Sequence, residues 1–232
     1  MSLKCVGISQ HFNGQNVLTE LSVTFPDFGL VGIIGPNGAG KTTLLNIISG
    51  FLRPNAGDVV LSGIKITGQA PHSIAALGIR RTFQEIRLVH ELTLRDHLIL
   101  VQRSPTVGER SPQLLAEYVQ TFHLHAWMEQ KVRELSFGQQ KLVALACALA
   151  GEPRVLLLDE PVAGLDPEMR SRLSAFLRGQ RNEMLTVFVE HDLEFVRDLA
   201  DTLIFMTAGR NSIVGDPGEI LRDKNLLEAY LG

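Results

Sequence analysis

The order of apolar and polar positions divides the chain into stretches of different rhythm. Residues 3–8 and 17–25 read as strands, and Asn13-Gly14 between them carries a hairpin turn signal. "LVGII" (Leu30–Ile34) is a short apolar run, the pattern of a strand covered on both faces. A Gly-rich loop follows, then "KTTLLNIISG", with apolar residues at helical spacing and Gly50 as a stop. Residues 57–66 alternate as an antiparallel strand pair would. "HSIAALG" predicts a short helix, and "IRRTFQ" a short strand ending at Gln84.

From Glu85 the strand patterns vanish. "LTLRDHLILVQ" and "SPQLLAEYVQTFHLH" are amphipathic at the helical period, with the turn-rich "RSPTVGER" between them. After residue 150 strand and helix alternate again: "RVLLLDE", a helix over 167–182, "TVFVEHD", a helix over 193–199, and "TLIFM". An Ala208-Gly209 turn leads into "NSIVG", and "PGEILRDKNLLEAYLG" predicts a short closing helix. The rhythm predicts one α/β domain over 1–232. Its core is 1–84 and 151–232, with a mainly parallel sheet and an N-terminal antiparallel β subdomain. A helical lobe is inserted at about 85–150.

Composition narrows the class. The 232 residues are 45% hydrophobic and 20% charged, ordinary for a globular protein long enough to bury its own core. A net charge of −3 argues against nucleic acid as a partner, and Arg80-Arg81 is too short to be a footprint for one. Cys5 and Cys147 form no pattern, which suggests a reducing compartment. Cys147 lies in the apolar "VALACALA", so a buried thiol is expected. The start, "MSLKCVGISQ", lacks a secretory apolar stretch, and no run approaches the 18 apolar residues of a membrane span. His123 and His125 have no nearby Cys or carboxylate cluster, so no metal site is expected there.

The chemistry gathers at strand ends. "GPNGAGKT" is Gly35, Pro36, Asn37, Gly38, Ala39, Gly40, Lys41 and Thr42, followed by Thr43. It matches the P-loop pattern in its required place, after a strand and before a helix. Its glycines let successive N–H groups point into one anion-binding hollow, and the helix adds its positive end. Lys41 can neutralise β- and γ-phosphates, and the Thr42 hydroxyl can ligate Mg²⁺. "VLLLDE" ends in Asp159 and Glu160, where an α/β sheet presents its ligand crevice. Asp159 suits Mg²⁺, and Glu160 suits the activation of a water beside the γ-phosphate. "VFVEHD" places His191 at another such end as a γ-phosphate contact. Gln84 stands where the lobe departs and is placed to report nucleotide state. "LSFGQQ" (Leu135–Gln140) is a helix start with a capping box, Ser136 and Gln139. Capping alone explains it, unless its remaining N–H groups also serve a ligand.

The order of Gly35–Thr42, Gln84, Leu135–Gln140, Asp159-Glu160, "AGLD" (Ala163–Asp166) and His191 resembles the ATP-binding cassette family over nearly the whole chain. The resemblance implies a P-loop NTPase core, ATP with Mg²⁺ held by Thr42, Gln84 and Asp159, Glu160 as catalytic base and His191 as γ-phosphate contact. It implies head-to-tail pairing with a second cassette, itself or a paralogue. Ser136, Phe137, Gly138 and Gln139 would then reach the partner's ATP, with Gly164, Leu165 and Asp166 at the seam. Gln84 would couple to a membrane subunit, and Phe12 would stack on adenine. Phe137 stands where many members have Gly, and Phe28-Gly29 replaces their usual Gly-Glu.

"GIRRTFQEIRL", "LSFGQQ", "VEHD" and the final "YLG" are similar to cassettes of branched-chain amino acid importers and related urea importers. This implies separate integral-membrane permease subunits, a substrate-binding protein, and a peripheral place on the cytoplasmic face of the membrane. A urea or amide importer, a lipid exporter and a soluble iron–sulfur assembly ATPase remain the alternatives.

Overall fold

The Asn13-Gly14 turn behaves as its residue types dictate. Both residues adopt positive φ, 48° and 81°, as a two-residue hairpin turn requires. They join β1 (Leu3–Phe12) to β2 (Gln15–Thr24). β4 (Ala56–Leu61) pairs with the other edge of β1, and β5 (Ile64–Lys65) completes an antiparallel sheet in the order β2-β1-β4-β5. The computed structural model describes residues 2–103, 111–223 and 226. Most of the expected loop "RSPTVGER" and the final "YLG" lie outside them.

A second sheet has six strands in the order β10-β9-β3-β8-β7-β6. They are β3 (Gly29–Ile34), β6 (Ile79–Arg81), β7 (Val155–Asp159), β8 (Leu185–Val189), β9 (Thr202–Thr207) and β10 (Arg210–Gly215). The first five run parallel, and β10 returns antiparallel after Ala208-Gly209. Every residue of β3, β7 and β8 is buried, hence their unbroken apolar runs.

The side-chain alternation of these strands builds two cores. Leu30, Leu156, Leu158, Phe188 and Phe205 face one side. There they join α3 (Leu94–Gln102), α4 (Ser111–Thr121), α5 (Phe137–Leu149), α6 (Pro167–Gln180) and α7 (Leu193–Leu199). Val31, Ile33, Leu157, Val187 and Ile204 face the other side. There α1 (Lys41–Ile48) is held between the parallel strands and the antiparallel sheet, with α2 (Pro71–Ala76) at its margin. α8 (Pro217–Ile220) covers the end of the first core.

Several boundaries differ from expectation: β1 runs to Phe12 rather than to residue 8, and β2 covers Gln15–Thr24 rather than 17–25. β6 ends at Arg81, so Gln84 lies beyond the strand in a bend. α6 ends at Gln180, two residues early. Cys5 is buried and Cys147 half-buried, both as free thiols, and burial pushes each up to about 12. Among the described residues no helix is long and apolar enough to cross a membrane.

Candidate active site

Register sets the site. Val189 on β8 is paired with Asp159 on one side and Ile33 on the other. The last residues of β3, β8 and β7 therefore end level, and the segments after them open on one edge. A cavity of about 320 Å³ lies there, lined by Val17, Asn37–Thr43, Gln84, Glu160, Val189 and His191.

The P-loop is fixed by tight packing. Gly35 has φ 154°, and a Cβ there would lie 2.1 Å from the Met206 carbonyl oxygen, so no other residue fits. Gly40 precedes α1 without a side-chain cap, so the first N–H groups of that helix face the loop. Lys41 is buried, and its Nζ donates to the carbonyls of Gly35 (2.6 Å) and Pro36 (2.9 Å). An ammonium has three donors, so one remains for an anion. Burial pushes Lys41 below its ordinary pKa, while Glu160 and Asp159 oppose that.

Glu160 sits between two side chains that the sequence also singles out. Its Oε2 accepts from Gln84 Nε2 at 3.2 Å, and its Oε1 lies 3.3 Å from His191 Nε2. Its backbone has φ 50°, uncommon for a residue with a side chain. This turn takes the carboxylate off the line of β7 and toward the cavity. Asp159 stays deeper: its Oδ1 accepts from Thr42 Oγ1 at 3.3 Å. Thr42, Asp159 and Gln84 offer oxygen donors of the kind a hard cation takes. Among the described residues no cluster of three or more His, Cys, Asp and Glu could hold a metal ion. A cation here would draw most of its ligands from phosphate and water, as Mg²⁺ does.

Three residues of this region have no role assigned to them by the sequence patterns. Arg81, passed over as half of a short basic pair, donates from Nη2 to Asp159 Oδ2 at 3.0 Å, and both side chains are buried. Its Nη1 is held by Asn46 Oδ1 (2.7 Å) and Ser49 Oγ (3.1 Å) of the α1 region. Burial pushes Asp159 up, and Arg81 works against that. Removing one partner of a buried pair strands the other. Arg81→Met should therefore destabilise the fold by about 3–5 kcal/mol, lowering Tm by roughly 10 °C in calorimetry. A wild-type Tm would show that the pair is not coupled to folding. The other two residues are Lys141 and Glu190. Glu190 is buried and accepts from the N–H of Val162 (2.9 Å) and of His191 (3.1 Å).

The capping box at α5 is formed in full. Ser136 Oγ accepts from Gln139 N–H (3.3 Å), and Gln139 Oε1 accepts from Ser136 N–H (2.8 Å). None of Ser136–Gln139 lines the P-loop cavity. Phe137 and Gly138 meet Gly164 and Leu165 instead: a Cβ on Gly138 would come within 2.6 Å of the Gly164 carbonyl oxygen. Asp166 caps α6 through Met169 N–H at 2.8 Å. Phe12 is half-exposed at the end of β1 and does not line the cavity; Val17 does.

The ABC transporter family pattern matches residues 18–163. The chain belongs to the ABC transporter family. It is an ATPase subunit with the ABC cassette fold. The branched-chain amino acid transport ATP-binding protein BraF of Pseudomonas aeruginosa is 30% identical, over 99% of this chain and 97% of its own. The sulfate/thiosulfate import ATP-binding protein CysA of Vibrio vulnificus is 34% identical over 96% of this chain, but only 66% of its own length is matched. The ADP conformation of MJ1267, an ATP-binding cassette of an ABC transporter, superposes with TM-score 0.87 at 28% identity, covering 100% of this chain and 99% of that one. The dimeric cassette MJ0796, bound to ADP and Pi after hydrolysis, superposes with TM-score 0.81 at 26% identity, covering 93% and 98%.

Proposed function

We propose that two copies of this chain, or one copy and a paralogue, close head to tail on two ATP and drive an importer of branched-chain or other amino acids. The observation that carries the reading is the split of the motifs. P-loop, Gln84, Glu160 and His191 line one cavity, and the signature residues Ser136–Gln139 stand outside it. A cavity that gathers the P-loop, Gln84, Glu160 and His191 without the signature reads as half of a shared site. The dimeric relative bound to ADP and Pi supports pairing of two cassettes.

Each group then has a role. The P-loop N–H groups and the spare Lys41 donor hold the β- and γ-phosphates. A Mg²⁺ near Thr42, Gln84 and Asp159 would neutralise charge on the transferred phosphoryl group. Glu160 takes a proton from the attacking water, and Gln84 and His191 hold its carboxylate in line. The partner's Ser136 side meets the γ-phosphate with the helix-end N–H groups that its capping box leaves over. Phe12 is assigned to the adenine from the open end of β1.

Because β6 stops at Arg81, the segment through Gln84 is a bend joined to the helices. A cavity of about 390 Å³ opens beside it, walled by Phe51, Phe83, Ile86 and Arg87. Phe51 and Phe83 meet edge to face at 4.9 Å, with Arg87 above the Phe83 ring. An apolar segment of a permease seated there would feel any shift of Gln84. The match along the full length of BraF favours amino acids over sulfate as cargo, and a peripheral place on the cytoplasmic membrane face follows. Purification from native membranes should recover integral-membrane permease subunits and a substrate-binding protein. ATPase activity of that complex should rise with branched-chain amino acids and not with urea or sulfate. Recovery of soluble partners alone would remove the transport reading.

A further inference from the structure

Lys141 lies one helical turn beyond Phe137 on α5, so the two share a helix face. Its side chain is buried, and its Nζ stands 5.0 Å from the centre of the Phe137 ring. The ammonium donates to the backbone carbonyl of Glu160, across the gap between α5 and the end of β7.

That carbonyl belongs to a residue held at an uncommon backbone angle. With φ 50°, Glu160 occupies a region that costs about 1–3 kcal/mol and persists only where neighbours impose it. The neighbours are identifiable. Glu160 N–H donates to Val189 O at 2.9 Å, its carbonyl accepts from Ala163 N–H at 3.3 Å, and Lys141 adds a charged tie to that carbonyl. The other arm of the same loop is fixed by Glu190, whose carboxylate bridges Val162 and His191. Glu190 also attracts the Lys141 ammonium, as do Glu160 and Asp159 more weakly. Burial alone would favour a neutral lysine; these carboxylates oppose it.

We propose that Lys141 is a positioning residue for hydrolysis, tying the signature helix to Glu160 of the same chain. The surface that a chain lends to its partner's ATP is thereby linked to the carboxylate that it aims at its own. Phe137 belongs to both sides of the link. Its ring faces the ammonium, and it packs so closely on Gly164 that a Cβ there would come within 2.7 Å. A movement of the signature helix therefore reaches Glu160 through a hydrogen bond and reaches the Gly164–Asp166 loop through a ring contact. The inference rests on the reading of Glu160 as the base.

The test uses the full chain in its dimeric, ATP-hydrolysing form. Steady-state kcat and KM for ATP are measured for Lys141→Met, Lys141→Arg, Glu160→Gln and the Glu160→Gln/Lys141→Met double variant. Misplacing a reacting group by about 1 Å costs about 100-fold in rate. Lys141→Met should accordingly lose about 10–100-fold in kcat with KM within about twofold of wild type. Lys141→Arg, which keeps the charge and the donor, should recover most of the rate. In the Glu160→Gln background the Lys141 change should lower the residual rate no further, because the two act as one unit. A wild-type kcat in Lys141→Met would overturn the proposal. So would parallel damage to kcat and KM that arginine does not repair, or losses that multiply in the double variant. Wild-type turnover by Glu160→Gln would instead overturn the base reading, and this inference with it.

Discussion

Glu160→Gln should bind ATP, lose most of its hydrolysis and accumulate as an ATP-bound dimer. The substitution keeps the shape of the side chain and a partner for both Gln84 and His191, which lie 3.2 and 3.3 Å from the carboxylate. It removes the basic oxygen. A positioned general base contributes about 10²–10⁴-fold, so the fall in kcat should lie in that range. Binding is spared because the P-loop and Lys41 are untouched. Closure is favoured because one negative charge is taken away from the neighbourhood of the γ-phosphate. Size exclusion with and without ATP reads the dimer, and a phosphate-release assay reads the rate. Turnover at the wild-type rate would remove Glu160 from the role of base.

Ser136→Arg should abolish hydrolysis while leaving the nucleotide affinity of the single chain intact. Within the chain the change costs only the cap: the Ser136–Gln139 box is lost, worth about 1 kcal/mol. Ser136 is exposed and lines no part of its own P-loop cavity, so that site should be unaffected. Against a partner's γ-phosphate the long side chain occupies the space that the shared site needs. Mixing gives the sharper readout. In a dimer of one Ser136→Arg chain and one Glu160→Gln chain, one of the two composite sites escapes both changes. If pairing is random and the sites act independently, an equal mixture should regain about a quarter of wild-type activity, which neither variant shows alone. Loss of ATP affinity in Ser136→Arg would return the stretch to helix capping alone, and no recovery on mixing would remove the shared site.

What could be read from the sequence was local. The P-loop is eight consecutive residues, and "VLLLD" is a strand whose burial is written in its composition; both stand where expected. Asn13-Gly14 announces its turn because positive φ suits those two residue types. Arg81, Lys141 and Glu190 were not legible for the opposite reason. Each acts through a side chain that crosses to another element: Arg81 to Asp159, 78 positions away, Glu190 to Val162, 28 away, and Lys141 to Glu160, 19 away. Periodicity within one element carries no record of such reach. An arginine at the end of a short strand and a lysine amid an apolar helix stand out in the sequence as charges in apolar company. Their partners do not. Gln84 was found by its type but placed on the wrong element, because Thr82 still bonds to Leu157 as a strand residue would while Arg81 ends the strand.

The middle position of β8 has a consequence for how the enzyme is made. β3, which leads into the phosphate loop, and β7, which ends in Asp159 and leads into Glu160, do not pair with each other; β8 lies between them and pairs with both. β8 is residues 185–189, later in the chain than either. During synthesis β3 and β7 both exist before the strand that unites them has left the ribosome. Until it arrives, each presents a row of unpaired backbone groups. The sheet that carries both strands is therefore complete only when β8, and after it β9 on the far side of β3, has joined.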